Sequence, residues 1–328
     1  MSRSGCGNLS NMSDRQTERK DDNTISPRST DPTFAVVTAP SYAHTLFYGA
    51  DGLRPGWGFV FYVVAFLALQ SLAVQLAWLR DLGDSGLWSK MLEEFGNLLA
   101  AIIPSFVLAR VEGRPWASYG LPLKRAFGRH FWFGAVWGFL AVSLLMLAIV
   151  AGHGFSAGHV LLHGIRLFRF AGFWGVYFLL VALFEDFLFR GYSQFTLARG
   201  IEFWPAAVLL ACTFGLIHRG NAGERWSGLL LAGLIGLFFC LTLRRTGTLW
   251  FAVGFHAAWD WGETFFYSVP NSGTVEKGHL LSSTLHGPEW LTGGSVGPEG
   301  SVFCFLVIAL VWIAFDRIYP RPASSPAS

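Results

Sequence analysis

The chain has 328 residues, of which 52% are hydrophobic and only 14% are charged. Soluble globular domains carry about 25% charged residues, so this composition excludes the two soluble domains that the length would allow. A net charge of +3 is too small to draw a nucleic-acid partner, and none is expected.

Residues 1–45 are polar, rich in Ser, Asp, Asn and Thr with Arg and Lys mixed in. They lack the apolar run of a signal peptide and read as a disordered tail. Asn8 and Asn11 head glycosylation sequons there, which a cytoplasmic tail would leave unused. From 57 to 318 the sequence reads as a membrane-embedded helical domain: an all-α, polytopic bundle of about eight spanning helices in contact with membrane lipid. The apolar blocks run from Trp57 to Leu79, Phe95 to Ala109, Phe131 to Gly152 and Ala171 to about Leu197. They continue from Phe203 to Ile217, Trp226 to Leu243, Thr246 to about Phe266 and Ser301 to Phe315. A crossing needs roughly 20 residues, so the shorter blocks borrow flanking ones, and the second begins before Glu93. Cys6, Cys212, Cys240 and Cys304 show no metal-binding spacing. The last three lie in apolar blocks, where Cys serves as a small hydrophobe.

Loop charge sets the expected orientation. Arg110, Arg114, Lys124, Arg125 and Arg129 lie between the second and third blocks. Arg244 and Arg245 follow the sixth, and Arg317 and Arg321 follow the last. The long segment 267–300 carries one Lys and no Arg, on the opposite side. The positive-inside rule then places both termini in the cytoplasm of a plasma (inner) membrane protein. Arg80, Arg166, Arg169, Arg219 and Arg225 run against that bias.

Ionisable residues at mid-bilayer cost at least ~2.5–3.5 kcal/mol and mark function. Three clusters occur here. The first, Glu185-Asp186-Phe187-Leu188-Phe189-Arg190, lies in the middle of the fourth block. Asp186 and Arg190 pair at i,i+4, which leaves Glu185 without a local partner and available as a general base. The competing reading is an ion pair that fixes helix packing. The second runs from Phe214 to His218 at the end of the fifth block, where Gly215 permits close packing; a lone His there also reads as interfacial. The third runs from His256 to Asp260, whose i,i+4 spacing lets a carboxylate hold an imidazole in one tautomer. A structural His–Asp bond is its competing reading. Glu263 continues that face nearer the interface and reads as solvated. At ~1.5 Å per residue, Glu185 lies roughly 13–18 Å, His256 ~18 Å, Asp260 ~12 Å and His218 ~8 Å from the outer face. The three clusters are therefore expected to share one cavity. Gly83-Asp84-Ser85-Gly86 imitates a serine-nucleophile pattern but reads as a turn, and no H-E-x-x-H zinc helix occurs.

Taken together, the clusters resemble the CAAX-prenyl-protease and bacteriocin-processing (CPBP, Abi) family. That family carries E-E-x-x-x-R, F-x-x-x-H and H-x-x-x-N/D in this order on separate membrane helices. The resemblance covers about 173–266, with Asp186 standing where the family has a second Glu. It implies an intramembrane endopeptidase acting on a protein or peptide substrate that is prenylated or membrane-associated. Glu185 would activate water, and His218 and His256 would hold it or stabilise the oxyanion. Asp260 would orient His256 or stabilise the oxyanion through a protonated carboxyl, and Arg190 would hold its helix through Asp186. With Asp186 one methylene shorter than Glu, pairing with Arg190 is the role the resemblance supports best for this sixth candidate catalytic residue. The resemblance fits both a metal-free glutamate–histidine mechanism and a divalent metal such as zinc held by Glu185, His218 and His256. A non-enzymatic immunity or scaffold protein on the same fold is the alternative, although it need not retain buried charges. A proton-coupled transporter using Glu185 and Asp260 is disfavoured, because no internal repeat is seen.

Overall fold

A backbone in hydrocarbon must satisfy its own N–H and C=O groups, and the apolar runs of this chain do so as helices. The computed structural model describes residues 42–50, 52–80, 86–221, 223 and 225–320. Residues 1–41 of the expected tail, with Cys6, Asn8 and Asn11, lie outside the described residues, as do Gly83, Asp84, Ser85 and Arg321. The tail boundary expected at 45 falls inside a short helix, α1 Tyr42–Phe47. An antiparallel pair follows, β1 Tyr48–Gly49 with β2 Gly52–Leu53.

The long helices are α2 Pro55–Arg80, α3 Leu87–Val111, α4 Arg129–Ala151 and α5 Gly164–Arg190. Next come α6 Tyr192–Ile201, α7 Phe203–Ile217, α8 Trp226–Thr246 and α9 Trp250–Trp261, which continues as a π-helix over Gly262–Tyr267. The short α10 Glu289–Thr292 precedes α11 Val302–Ile318. β3 Phe155–Ser156 pairs with β4 Thr284–Leu285 and ties the long 268–301 segment to the α4–α5 connection. The fold is thus an all-α polytopic bundle. Among the described residues, 6 helical runs are long and apolar enough to cross a membrane. The run from α9 into its π-turn is less apolar and the 17-residue α11 is shorter, and with them the count agrees with the expected eight or so spans.

The fourth block is not one helix. It breaks at Gly191, where a Cβ would stand 2.4 Å from the Phe187 carbonyl oxygen. The acidic motif expected mid-span therefore closes α5 instead. Gly215 does allow the close packing foreseen for it, since its Cβ would meet Leu229 O of α8 at 2.4 Å. Cys240 and Cys304 are buried apolar fillers, whereas Cys212 is exposed.

A second polar cluster ties the other ends of the helices. The buried Glu112 carboxylate, just past α3, accepts hydrogen bonds from the Tyr192 hydroxyl at 2.5 Å and the Tyr119 hydroxyl at 3.4 Å. Arg199 of α6 and Arg114 pair with it at 2.9 and 3.5 Å. Burial first, and then the Glu112 charge, push the Tyr119 phenol up to about 12, so it remains a donor.

The tightest helix contact is between α4 and α9. Any Cβ at Gly134, Gly138 or Gly254 would lie 2.1 Å from a carbonyl oxygen of the facing helix. This contact fixes α9, and α9 carries two of the expected site residues. Gly254→Ala is expected to destabilise the protein by about 1–3 kcal/mol through overpacking, read as a lower Tm in detergent. Gly220→Ala, where a Cβ meets nothing within 4 Å, serves as the neutral control.

Candidate active site

The site forms where the end of α5 meets the middle of α9. Adjacent residues on a helix point about 100° apart, so Glu185 and Asp186 cannot share one direction, yet both reach His256. The imidazole sits between them, with Nδ1 3.6 Å from Asp186 Oδ2 and Nε2 3.7 Å from Glu185 Oε2. Asp260, one turn further along α9, brings its Oδ2 to 3.5 Å from the same Nε2. These are ion-pair distances rather than hydrogen bonds. A shift of under about 1 Å would close any of them, as is usual for sites that tighten on substrate.

The two acids have different surroundings. The Asp186 side chain is fully buried and its Oδ1 pairs with Arg190 Nη1 at 3.3 Å, so it bridges Arg190 and His256. Beyond the expected pairing with Arg190, Asp186 turns its second oxygen to the imidazole. The Glu185 side chain keeps 22% of its surface exposed and faces a cavity.

Arg190 is itself 1% exposed. Its guanidinium lies 4.2 Å from the ring centroid of Phe214 and 5.6 Å from that of Phe239, a desolvated cation–π arrangement. Gly236 makes room for it, because a Cβ there would meet Arg190 Nη2 at 2.4 Å. Phe214 thus links two motifs: its other neighbour is His218, ring centroids 4.7 Å apart. His218 Nδ1 lies 2.7 Å from Phe214 O. Donation of the Nδ1–H to that carbonyl leaves Nε2 free for a ligand.

Glu185, His218, His256 and Asp260 line one cavity of about 460 Å³. Of the remaining expected site residues, Asp186 and Arg190 sit behind it and hold His256 and α5. Glu263 was expected to be solvated and is not. It is fully buried. The cavity wall follows His256, Asp260 and Thr264 at a spacing of four, and Glu263 falls off that line as the helix widens into its π-turn.

Sequence reading missed several carboxylates of the wall. Glu93 and Glu94 enter from α3, and Glu276 and Glu299 from the 268–301 segment. Glu93-Glu94 stands directly before an uncharged block, a signal taken only as a helix start. The loop acids carry no periodicity that could have flagged them. Lys90 of α3 pairs with Glu276 and holds this segment against the helices. The lining comes from α3, α5, α7, α8, α9 and α11 together with the long segment.

The expected metal set is not assembled as a ligand shell. His256 Nε2 is turned to two carboxylates and His218 Nδ1 to its own helix. Among the described residues no group of three or more His, Cys, Asp or Glu is placed to hold a metal ion.

Carboxylate and imidazole groups from α5, the end of α7 and α9 thus meet at one cavity inside a polytopic helical bundle. Residues 167–262, from the start of α5 to the end of α9, match the family described as Rce1-like, Type II CAAX prenyl endopeptidase Rce1-like. The matched stretch, under a third of the chain, is similar to that family and holds all six expected site residues, Glu185, Asp186, Arg190, His218, His256 and Asp260. No curated protein and no solved structure matches the chain.

Removing one member of a buried ion pair costs about 3–5 kcal/mol, because the other charge stays buried. Arg190→Leu is expected to lower stability by that order in thermal unfolding, and Arg190→Lys by less. Equal stability of Arg190→Leu and the native protein would show that Asp186 does not depend on this partner.

Proposed function

We propose that this protein is an intramembrane endopeptidase of the CAAX type that hydrolyses a peptide bond with a water activated by Glu185. The observation that carries the reading is the placement of Glu185, partly exposed to the cavity, 3.7 Å from the imidazole of His256. Bond cleavage requires a base for water, donors for the developing oxyanion and an acid for the leaving amine. Glu185 takes a proton from water as its oxygen attacks the carbonyl carbon, then returns that proton to the departing nitrogen. His218, with its Nε2 lone pair free, accepts from the attacking water and holds it, and His256 donates to the oxyanion. Asp186 and Asp260 face opposite nitrogens of His256 and hold the ring in place. No step of this sequence passes through a metal.

The substrate in this reading is an extended segment of a membrane-associated or prenylated protein. Helical peptide bonds are internally hydrogen-bonded, so the segment must be unwound to expose its carbonyl. The protein lies in the plasma membrane with both termini in the cytoplasm, in keeping with the basic connections at 110–129 and 244–245.

Two measurements test the reading. In liposomes containing the protein and membrane-anchored peptides, a farnesylated one included, Glu185→Gln should cut product formation by about 10²-fold or more. The same variant should keep its Tm, and Asp186→Asn should lose roughly 10–100-fold. Product formed by Glu185→Gln at the native rate sinks the mechanism. A reporter fused after Tyr319 should signal the cytoplasm, and a signal from the opposite side overturns the orientation.

A further inference from the structure

Arg166 and Arg169 run against the charge bias of the loops, and the active site makes no use of them. Both lie in the first two turns of α5 and are exposed. Among the described residues neither has an ion-pair partner. They stand instead at the rim of a groove of about 840 Å³ between the first turns of α3 and α5. The rest of that groove is almost entirely apolar, with Trp88, Met91, Phe170, Phe173 and Val176 along it. Trp88 is 71% exposed and sets its ring edge-on against Phe173, centroids 5.6 Å apart.

We propose that this groove binds an anionic phospholipid, its phosphate held by Arg166 and Arg169 and one acyl chain laid along the apolar wall. Depth supports the assignment. The helical run from Arg166 to Val176 rises about 15 Å at ~1.5 Å per residue, and half of a ~30 Å hydrocarbon core is the same length. The groove therefore runs from the headgroup level to the mid-plane, the span of one leaflet. Charge supports it as well. Two guanidiniums without protein partners at a membrane interface fit a phosphate, whose oxygens accept paired N–H bonds. The N-terminus of a long helix adds a favourable field for the same anion. Cations without a countercharge near a membrane surface favour an anionic headgroup over a zwitterionic one.

The test uses the full chain in nanodiscs of equal dioleoyl phosphatidylglycerol and dioleoyl phosphatidylcholine, with retained lipid counted by native mass spectrometry. Phosphatidylglycerol should be retained in excess, by roughly fivefold per arginine. The Arg166→Gln/Arg169→Gln pair should bring the ratio near unity, and the Arg166→Lys/Arg169→Lys pair should keep most of it. Glycerol phosphate, which carries the headgroup without chains, should not displace the lipid at equal concentration. Equal retention of both lipids by the native protein, or an unchanged ratio in the Gln pair, overturns the site. Displacement by glycerol phosphate overturns the acyl-groove assignment. Should the Gln pair fail to insert, the native ratio and the glycerol phosphate competition decide the matter. Val176→Trp, which fills the groove floor without touching charge, should then lower retention of phosphatidylglycerol.

Discussion

The structure depends on one constraint: a charge taken into hydrocarbon must be answered by another group. Asp186 answers two at once, Arg190 at 3.3 Å and His256 at 3.6 Å. Arg190 in turn is enclosed by Phe214 and Phe239, with Gly236 left bare to admit it. Through these contacts the acid motif of α5 determines where α7, α8 and α9 can sit. The F-x-x-x-H motif then needs its Phe for a stated reason. Phe214 is the wall against which the buried cation rests, and the helix turn that follows carries His218 to the cavity.

The same constraint explains why the two neighbouring acids differ. Asp186 is spent on internal charges and has no exposed surface. Glu185 turns about 100° away and retains contact with the cavity. The rigid α4–α9 glycine contact, in which backbones meet without intervening side chains, holds His256 between the pair. Precision at the imidazole is supplied by packing behind it, because ion-pair distances of 3.5–3.7 Å around His256 are too long for hydrogen bonds to fix the ring alone.

Much of this was legible in the sequence. Long apolar runs announce spanning helices because the bilayer permits little else, and charges within those runs stand out against them. The i,i+4 spacings of Asp186 with Arg190 and of His256 with Asp260 gave the local pairs, since helix geometry is fixed. What remained hidden depended on changes in that geometry or on contacts between distant segments. The break at Gly191 moved the acid motif from mid-span to a helix end. The π-turn moved Glu263 off the cavity wall and into the protein. The contact between Asp186 and His256 joins residues on helices far apart in sequence, and no local spacing encodes it. Glu276 and Glu299 reach the cavity from a segment without periodicity.

Two acid clusters invite comparison. Around Glu112, two tyrosine hydroxyls and two arginines meet one carboxylate, and it is well supplied with donors and countercharges. Around the cavity, six carboxylates from Glu93, Glu94, Glu185, Asp260, Glu276 and Glu299 share the wall with one lysine, itself paired to Glu276. Buried polar groups are normally satisfied, and the exceptions ask for an explanation. The Glu112 cluster has what it needs to hold α3 and α6 together. The cavity cluster has only the Lys90 ammonium and the His256 imidazole set among its carboxylates, and its wall also includes the buried Thr264, whose hydroxyl has no hydrogen-bond partner among the described residues. An array left incomplete in this way is suited to groups that arrive from outside, a water and the backbone of a peptide, and the contrast between the two clusters separates a brace from a site.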